Sequence, residues 1–324
     1  MDGNVFLDNI SDGMERAFAY HSSFRNPALT GSLLANTAVF VAWRLGARRR
    51  MPHIINSLSR HFICSPEALK NGRYHTLVTC GFSHITLPHF LVNAWALDLF
   101  GRSVASDLST RDFLALYGLS SAAAALVQVR TSGMPVAGAS GMVMALSMVV
   151  ACLRPRESYI VIFPLPALSL TALQLSDLSV GINLLMHYYT RWRLGGGGYR
   201  VGGRGGMQAF VTIAWAGHLA GCMSGLGFVY WKRLVEGSNK YFDWINLHQQ
   251  FFWYDWRVSF LNFGSSCRQF LLRCQLRQET LSKAERRLLE GELDRLKTEQ
   301  ALRRRLQGAD GGVPRTMGGG GWFG

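Results

Sequence analysis

Long stretches without Asp, Glu, Lys or Arg recur along this chain, and they indicate its fold class. They cover residues 26–43, 74–97, 131–153, 178–190 and 205–231. Their apolar positions do not alternate with charged positions, as they would on the amphipathic helices of a soluble domain. Uninterrupted apolar blocks of this kind are typical of membrane spans. The pattern therefore predicts an all-α polytopic membrane protein.

Six membrane helices follow from these blocks and from the apolar runs beside them. The predicted spans are residues 28–46, a helix within 76–99, 112–130, 138–153, a helix within 158–189, and 207–230. Pro164 and Pro166 interrupt the fifth span, because proline disturbs a helix interior. The segment 54–62 is only semi-apolar, which favours an interfacial loop over a span. The glycine-rich, basic stretch 195–206 predicts a flexible linker.

The chain changes character after the last predicted span. Residues 241–263 are rich in aromatic side chains, which favour a membrane surface or a protein partner. Residues 280–306 are expected to form one charged helix, with Ser282 and Glu285 as a capping box. Its apolar side suits a partner helix and carries Leu289, Leu293 and Leu296. The predicted organisation is a polar lead (1–27), a membrane domain (28–231), a helical tail (232–310) and a disordered Gly-rich end (311–324).

The composition agrees with a membrane protein and narrows the classes of partner. Hydrophobic residues make up 48% of the chain and charged residues 17%, which is low for a soluble domain. The net charge is +14, and about half of the excess lies in loops beside the apolar blocks, as in Arg48-Arg49-Arg50. Cations at such positions set membrane orientation and contact anionic lipid. We therefore expect membrane lipid, and no nucleic acid, as a partner.

The six cysteines and the first residues exclude several kinds of site and signal. No two cysteines form a Cys-x-x-Cys pair, which favours buried free thiols over disulfides or a metal site. The first 25 residues contain Asp2, Asp8, Asp12 and Glu15. They resemble neither a cleavable secretory signal nor an acid-poor mitochondrial presequence. Mitochondrial targeting, if present, is expected to be internal.

Ser140 is the first candidate catalytic residue, in the segment Gly138-Ala139-Ser140-Gly141 at the start of the fourth predicted span. Glycine admits backbone angles that other residues avoid and lets a neighbouring helix approach closely. A helix N-terminus also presents unpaired N–H groups that favour negative charge. These properties suit a serine nucleophile whose reaction generates an oxyanion. Taken alone, the tetrapeptide fits a small-residue helix contact with an incidental serine even better.

His89 and Asn93 form the second candidate group, on the second predicted span, which also carries His84. They are four residues apart and therefore share one face of a helix. Polar groups inside a membrane are costly and usually face the interior of the helix bundle. The pair either ties neighbouring helices together by hydrogen bonds or contributes to a functional site.

His218 is the third candidate, on the sixth predicted span. Gly221 and Gly225 follow it by three and seven residues, so one helical face presents an imidazole beside two residues that lack side chains. The Gly-x-x-x-Gly spacing favours close contact between helices. This spacing predicts that the imidazole lies against another helix. The alternative is a buried histidine that only makes a hydrogen bond.

The three groups together describe the chemistry of a serine hydrolase. A neutral His218 imidazole can accept the Ser140 proton and later protonate a leaving amine. His89 and Asn93 offer donors for a tetrahedral oxyanion, together with the Ser140 backbone N–H. Asp98 lies near the end of its span, so no acidic third member is evident. We therefore expect a Ser–His dyad whose imidazole is oriented by packing.

The order and placement of these motifs resemble the rhomboid family of intramembrane serine proteases. The family's Gly-x-Ser-Gly motif corresponds to residues 138–141, and its His-x-x-x-Asn motif to residues 89–93. Its histidine in the sixth helix corresponds to His218. The resemblance covers about residues 31–231 and is closest to the mitochondrial presenilin-associated type. The segments that resemble that type are 35–44, 80–84, 113–117 and 160–164.

The resemblance implies a six-helix rhomboid-like bundle that cleaves single-span membrane proteins within or beside the bilayer, without metal or cofactor. It implies Ser140 as the nucleophile, His218 as the base, and Asn93 and His89 at the oxyanion site. The chain departs from the family's pattern around the histidine, where Gly217 and Ala220 replace the usual residues. We expect no counterpart of the extra N-terminal helix of the mitochondrial type, and the long loop 195–206 puts substrate gating in question.

Two other functions compete with the protease. A rhomboid-like scaffold or protein-translocase subunit of the mitochondrial inner membrane would bind spans without cutting them, but it need not retain both Ser140 and His218. A transporter is less well supported, because the sequence has no inverted repeat and no charged residue at mid-membrane. The helical tail is compatible with the protease and with the scaffold, and it suggests a protein partner.

The basic residues also predict an orientation in the membrane. They concentrate in the connectors after the first and fifth predicted spans, as in Arg48–Arg50, Arg191 and Arg193. The positive-inside rule places these connectors on the matrix side of the mitochondrial inner membrane and the C-terminus on the opposite side.

Overall fold

A computed structural model describes residues 26–160, 169–193, 214–277 and 282–309. These residues are helical apart from short connections and one two-stranded hairpin. The helices are α1 (Pro27–Arg48), α2 (Pro52–Phe62), α3 (Pro66–Lys70), α4 (Thr76–Thr79), α5 (Leu87–Val104), α6 (Thr110–Ser132), α7 (Ser140–Leu153), α8 (Ala172–Arg193), α9 (Trp215–Leu234), α10 (Trp244–Leu276) and α11 (Lys283–Ala309). The 3-10 turn Cys80–Phe82 follows α4, and the strands are β1 (Ser158–Ile160) and β2 (Ser169–Thr171).

The chain divides into two compact units. The first contains Met1–Val150 and Ser179–Gly237, and the second contains Ala151–Leu178 and Ser238–Gly324. All of the candidate catalytic residues belong to the first unit. In the described part of the chain, α1 and α6 are long and apolar enough to cross a membrane, and α7 is a shorter apolar helix. Large apolar side chains remain exposed on these and neighbouring helices, for example Leu34 and Leu119. A lipid environment would cover such side chains.

Helix α1 coincides closely with the first predicted span, and its local sequence explains where it begins. Asn26 caps the helix by accepting hydrogen bonds from the backbone N–H groups of Ala28 and Leu29. Pro27 occupies the first helical position, where its missing N–H costs nothing. The Asn26 amide also donates to the carbonyl of Leu108 at 3.1 Å. The start of α1 is therefore fixed to the loop that precedes α6.

The prediction of a span within 76–99 that carries His84, His89 and Asn93 is wrong for His84. The chain forms the single turn of α4 and the 3-10 turn, is non-helical through residues 83–86, and begins α5 only at Leu87. Pro88 lies in the first turn of α5, where proline starts a helix readily. His84 therefore lies in the break and not on the helix of His89. The pair His89 and Asn93 does lie on α5, as expected.

The third and fourth predicted spans correspond to α6 and α7 with differences of about two residues at their ends. The fifth predicted span differs more from the structure. Residues 158–160 and 169–171 pair as an antiparallel hairpin, and the helix begins only at Ala172. The sixth corresponds to α9 from Trp215 onward. Several predicted features lie outside the described residues. They are the lead up to residue 25, the prolines Pro164 and Pro166, the linker 195–206, the start of the sixth span at 207–213, and the end 311–324.

The tail forms two long helices that pack against each other in the second unit. The capping box is confirmed, since the backbone N–H of Ser282 donates to the Glu285 carboxylate and the N–H of Glu285 donates to Ser282 Oγ. Helix α11 runs antiparallel to α10, as the contacts Gln269–Gln300 and Ser265–Arg303 show. Of the predicted leucine stripe, Leu293 is buried. The helix that packs against α11 is thus α10 of the same chain.

The cysteines are free thiols as expected, but the expectation that they are buried is wrong for two of them. All six are unpaired. Cys64, Cys80, Cys152 and Cys222 are buried, whereas Cys267 and Cys274 are exposed on α10. The buried thiols therefore serve as small apolar side chains in the packing.

Candidate active site

Ser140 is the first residue of α7, and the loop before it is held by backbone hydrogen bonds. Cys64 and Val136 exchange two bonds, of 3.1 and 2.8 Å between N and O. The N–H of Gly138 donates to the carbonyl of Cys80 at 2.9 Å. Two separate segments of the chain, at Cys64 and Cys80, thus fix the backbone of this loop. Ser140 remains partly exposed at the start of the helix, where the first backbone N–H groups have no partner within the helix.

His84 holds the same loop through its side chain. Its imidazole is 1% exposed, and its Nε2 accepts a hydrogen bond from the backbone N–H of Ala139 at 3.2 Å. Because Nε2 accepts, the proton of a neutral ring must be on Nδ1. The ring also meets the His89 ring edge-on, with 5.0 Å between the centroids. This contact was not predicted, because the apolar run through residues 83–86 placed His84 on the same helix as His89.

His89 lies directly against Gly138. The φ of Gly138 is +136°, and a Cβ placed there would come within 2.7 Å of Cε1 and 3.0 Å of Nε2 of His89. Glycine is required at this position for both its backbone angle and its space. Asn93 is buried one turn further along α5, and its Nδ2 donates to the His89 carbonyl at 2.9 Å. The second hydrogen of this amide remains available to another acceptor.

The glycine face of α9 brings His218 to the helix that carries Ser140. A Cβ on Gly221 would collide with the carbonyl and Cα of Gly141, and a Cβ on Gly225 would collide with the backbone of Ala145. The two helices therefore touch backbone to backbone along this face, as the Gly-x-x-x-Gly spacing predicts. One turn before Gly221, His218 faces the region where α7 begins.

The N-terminal end of α9 is also fixed against α6. The backbone N–H of Gly217 donates to Gln128 Oε1 at 3.0 Å. A Cβ on Gly217 would be 3.0 Å from the carbonyl oxygen of Ala124. Gly217, which departs from the usual family residue, thus allows α9 to approach α6 closely.

Asn183 is a site residue that sequence reasoning missed. Its Oδ1 is 2.9 Å from Nδ1 of His218, and its own side chain is buried. The sequence does contain a signal, because Asn183 is the one amide in the charge-free run 178–190. Its contact with His218 depends on how α8 and α9 are rotated against each other, which no periodicity reveals. The imidazole is also packed, since the Trp215 ring lies edge-on with 6.2 Å between the centroids.

The arrangement combines a hydroxyl, an oriented imidazole and a group of donors around one helix end. Among the described residues, no hydrogen bond joins Ser140 to His218. Catalytic hydrogen bonds are often long before a substrate is bound. No group of three His, Cys, Asp or Glu side chains in the described part of the chain is placed to hold a metal ion. The residues present suit proton transfer and covalent catalysis.

Comparison with known proteins places this site in a recognised domain. A family model described as "Rhomboid domain" matches residues 71–233, which include every residue of the site. "Presenilin-associated rhomboid-like protein A, mitochondrial" of Danio rerio is 32% identical over 149 residues, or 44% of this chain and 37% of the relative. "Presenilin-associated rhomboid-like protein, mitochondrial" of Homo sapiens is 27% identical over 176 residues, or 52% of this chain and 40% of the relative.

A plant protein shows the same similarity over a shorter segment. "Rhomboid-like protein 16, chloroplastic" of Arabidopsis thaliana is 36% identical over 92 residues, or 28% of this chain and 27% of the relative. The chain spans less than half the length of each of these relatives.

Proposed function

The chain belongs to the rhomboid family, and on that premise we propose that it is an intramembrane serine endopeptidase. Ser140 is the nucleophile and His218 the general base. The observation that carries this proposal is the backbone contact between α9 and α7 at Gly221 and Gly141. It sets the imidazole-bearing turn of one helix beside the serine-bearing end of the other. A structural histidine would not require the two helices to meet at this point.

The reaction follows from the groups around Ser140. His218 Nε2 accepts the proton of the Ser140 hydroxyl as the oxygen attacks the carbonyl carbon of the scissile peptide bond. The carbonyl oxygen becomes an oxyanion. The Ser140 backbone N–H, the Asn93 amide and the His89 imidazole are the donors proposed to stabilise it. The imidazolium then protonates the leaving amine, and water hydrolyses the acyl-enzyme by the same steps in reverse.

The substrates and the membrane are part of the same proposal. We expect single-span membrane proteins as substrates, because an active site among apolar helices meets its substrates within the bilayer. The relatives named as mitochondrial support a mitochondrial membrane. We propose the inner membrane, with six spans formed by α1, α5, α6, α7, α8 and α9.

The test is cleavage by the purified protein reconstituted in liposomes with a panel of single-span substrates. Wild type should release fragments that the Ser140→Ala variant does not release. The matched control is Ser147→Ala, two turns further along α7, where the hydroxyl only donates to the Met144 carbonyl at 2.8 Å. A fluorophosphonate probe should label wild type and the control but not Ser140→Ala. Identical fragments from wild type and Ser140→Ala would refute the protease and favour the scaffold.

A further inference from the structure

Asn183 on α8 forms a hydrogen bond with the imidazole of His218 on α9, which lies 35 residues later in the chain. The distance between Asn183 Oδ1 and Nδ1 of His218 is 2.9 Å. We propose that Asn183 is the positioning residue of the dyad, which selects the tautomer and the ring orientation that direct Nε2 of His218 towards Ser140. The inference rests on the proposed function and adds a third member to it. It replaces the expectation that packing alone orients the ring.

The direction of the hydrogen bond follows from a second contact of the same amide. Asn183 Nδ2 donates to the backbone carbonyl of Ser179 at 2.7 Å, one turn back on α8. A carbonyl oxygen only accepts hydrogen bonds, so the nitrogen of the amide must face Ser179 and the oxygen must face His218. An amide oxygen also only accepts. Nδ1 of His218 must therefore carry the proton.

The tautomer leaves the other ring nitrogen ready for catalysis. A neutral imidazole has one protonated nitrogen, so a proton on Nδ1 leaves a lone pair on Nε2. A general base for Ser140 needs that lone pair. The opposite tautomer would present an N–H to the serine oxygen and could not accept its proton. The bond to Asn183 therefore decides whether the ring can act as a base.

The burial of Asn183 is consistent with a positioning role. The side chain is 4% exposed, whereas its neighbours Ile182 and Leu184 are 44% and 42% exposed. At this turn of α8, apolar side chains point outward, whereas the Asn183 amide points inward and contacts α9. An amide among apolar helices is costly unless it is hydrogen-bonded, and both of the bonds described above are present.

The amide is uncharged, and this gives the proposal a distinctive test. A carboxylate at the same position would accept the same Nδ1 hydrogen bond and would in addition stabilise the imidazolium. The acid limb of the pH–rate profile, which reports protonation of the base, would then move to higher pH. A carboxylate that did not lie against the His218 ring would leave this limb largely unchanged.

The experiment compares Asn183→Ala and Asn183→Asp with wild type, in liposomes and over a range of pH. Asn183→Ala should lower kcat by about 10- to 100-fold with little change in KM, because a displaced catalytic group costs rate more than binding. Asn183→Asp should retain most of the activity at high pH and should shift the acid limb upward. The matched control is Ser179→Ala on the same face of α8, which removes a hydroxyl bonded to Met144 Sδ and leaves the dyad untouched.

The outcomes separate this inference from the proposed function. If wild type cleaves and Ser140→Ala does not, the protease is established whatever Asn183 does. Should Asn183→Ala then match wild type in kcat, with the acid limb of Asn183→Asp unmoved, the positioning role is refuted and packing against Trp215 is sufficient. If Asn183→Ala fails to fold, the pH profile of Asn183→Asp still decides, because that variant keeps the size and the hydrogen-bond acceptor.

Discussion

At the scale of single residues, three buried asparagines within helices of the first unit make the same hydrogen bond. The Nδ2 atoms of Asn36, Asn93 and Asn183 each donate to the backbone carbonyl four residues earlier. This back-bonding satisfies one amide hydrogen within the helix itself, where water is scarce. The oxygen and the second hydrogen are then free to act between helices. Asn36 donates in this way to the Tyr117 hydroxyl at 2.9 Å.

A prediction at this scale concerns Gly138. The change Gly138→Ala places a methyl group within 2.7 Å of His89 Cε1 and forces a side chain onto a backbone with φ of +136°. Either His89 or the serine loop must move, so cleavage should fall by about 100-fold, the size of effect that a displacement of 1 Å can produce. The measurement is kcat/KM with a single-span substrate.

Gly133 provides the matched control for Gly138. It lies in the same connection, also has a positive φ of +68°, and a Cβ there would meet nothing within 4 Å. Gly133→Ala should cost about 1 kcal/mol of stability from backbone strain and leave the site intact. Equal losses of activity in the two variants would mean that loop strain, and not contact with His89, explains the effect.

At the scale of elements, the sequence predicts those helices whose ends carry a local signal. Helix α11 begins at its capping box, and α6 begins after Ser109, whose hydroxyl accepts from the Asp112 N–H. The break at residues 83–86 is marked only by Pro88 at its end, and the apolar run that continues through it predicts a helix there instead. The dyad candidates Ser140 and His218 were predictable from their motifs, because glycines mark both. Asn183 and His84 were not, because their contacts depend on tertiary packing.

Another element-scale prediction concerns the attachment of α10 to the beginning of α8 in the second unit. His248 Nδ1 is 2.6 Å from the Trp244 carbonyl, and Nε2 is 2.5 Å from Asp177 Oδ1. Both partners are acceptors, so both ring nitrogens must carry protons. Burial alone would lower the pKa of His248, but the hydrogen bonds to Asp177 and Trp244 and the charge of the carboxylate raise it overall.

The raised pKa fixes the direction of the pH dependence. The stabilisation is present in full below the ordinary histidine pKa of about 6.5, and it is lost as the pH rises through the raised value. Hydrogen exchange of the first turns of α10, corrected for the intrinsic rate, should show less protection at pH 8 than at pH 6. His248→Gln should abolish this difference, and His53→Gln should preserve it. An unchanged pH dependence in His248→Gln would mean that a group other than His248 causes it.

At the scale of the whole molecule, charge is distributed unequally between the ends of the predicted spans. At one end, Lys232 lies 2.9 Å from Asp112 and 2.6 Å from Glu236, so carboxylates offset its charge. Arg102 is likewise paired with Asp98 at 2.7 Å. At the end of α1, by contrast, Arg48, Arg49 and Arg50 are all exposed. The excess positive charge therefore lies in the connectors that follow α1 and α8.

This asymmetry predicts an orientation for the six-span protein that we propose for the mitochondrial inner membrane, because cations in short connectors are retained on the matrix side. With six spans, the tail then faces the intermembrane space.

A membrane-impermeant maleimide should label the exposed Cys267 and Cys274 in mitoplasts, while the four buried cysteines remain unlabelled. In a Cys267→Ser and Cys274→Ser background, Arg49→Cys should react only after the membrane is permeabilised. Labelling of Arg49→Cys in sealed mitoplasts, with Cys267 and Cys274 protected, would reverse the orientation. Labelling at both positions would instead exclude an even number of spans with α1 as the first, since an odd number of crossings would then separate residue 49 from the tail.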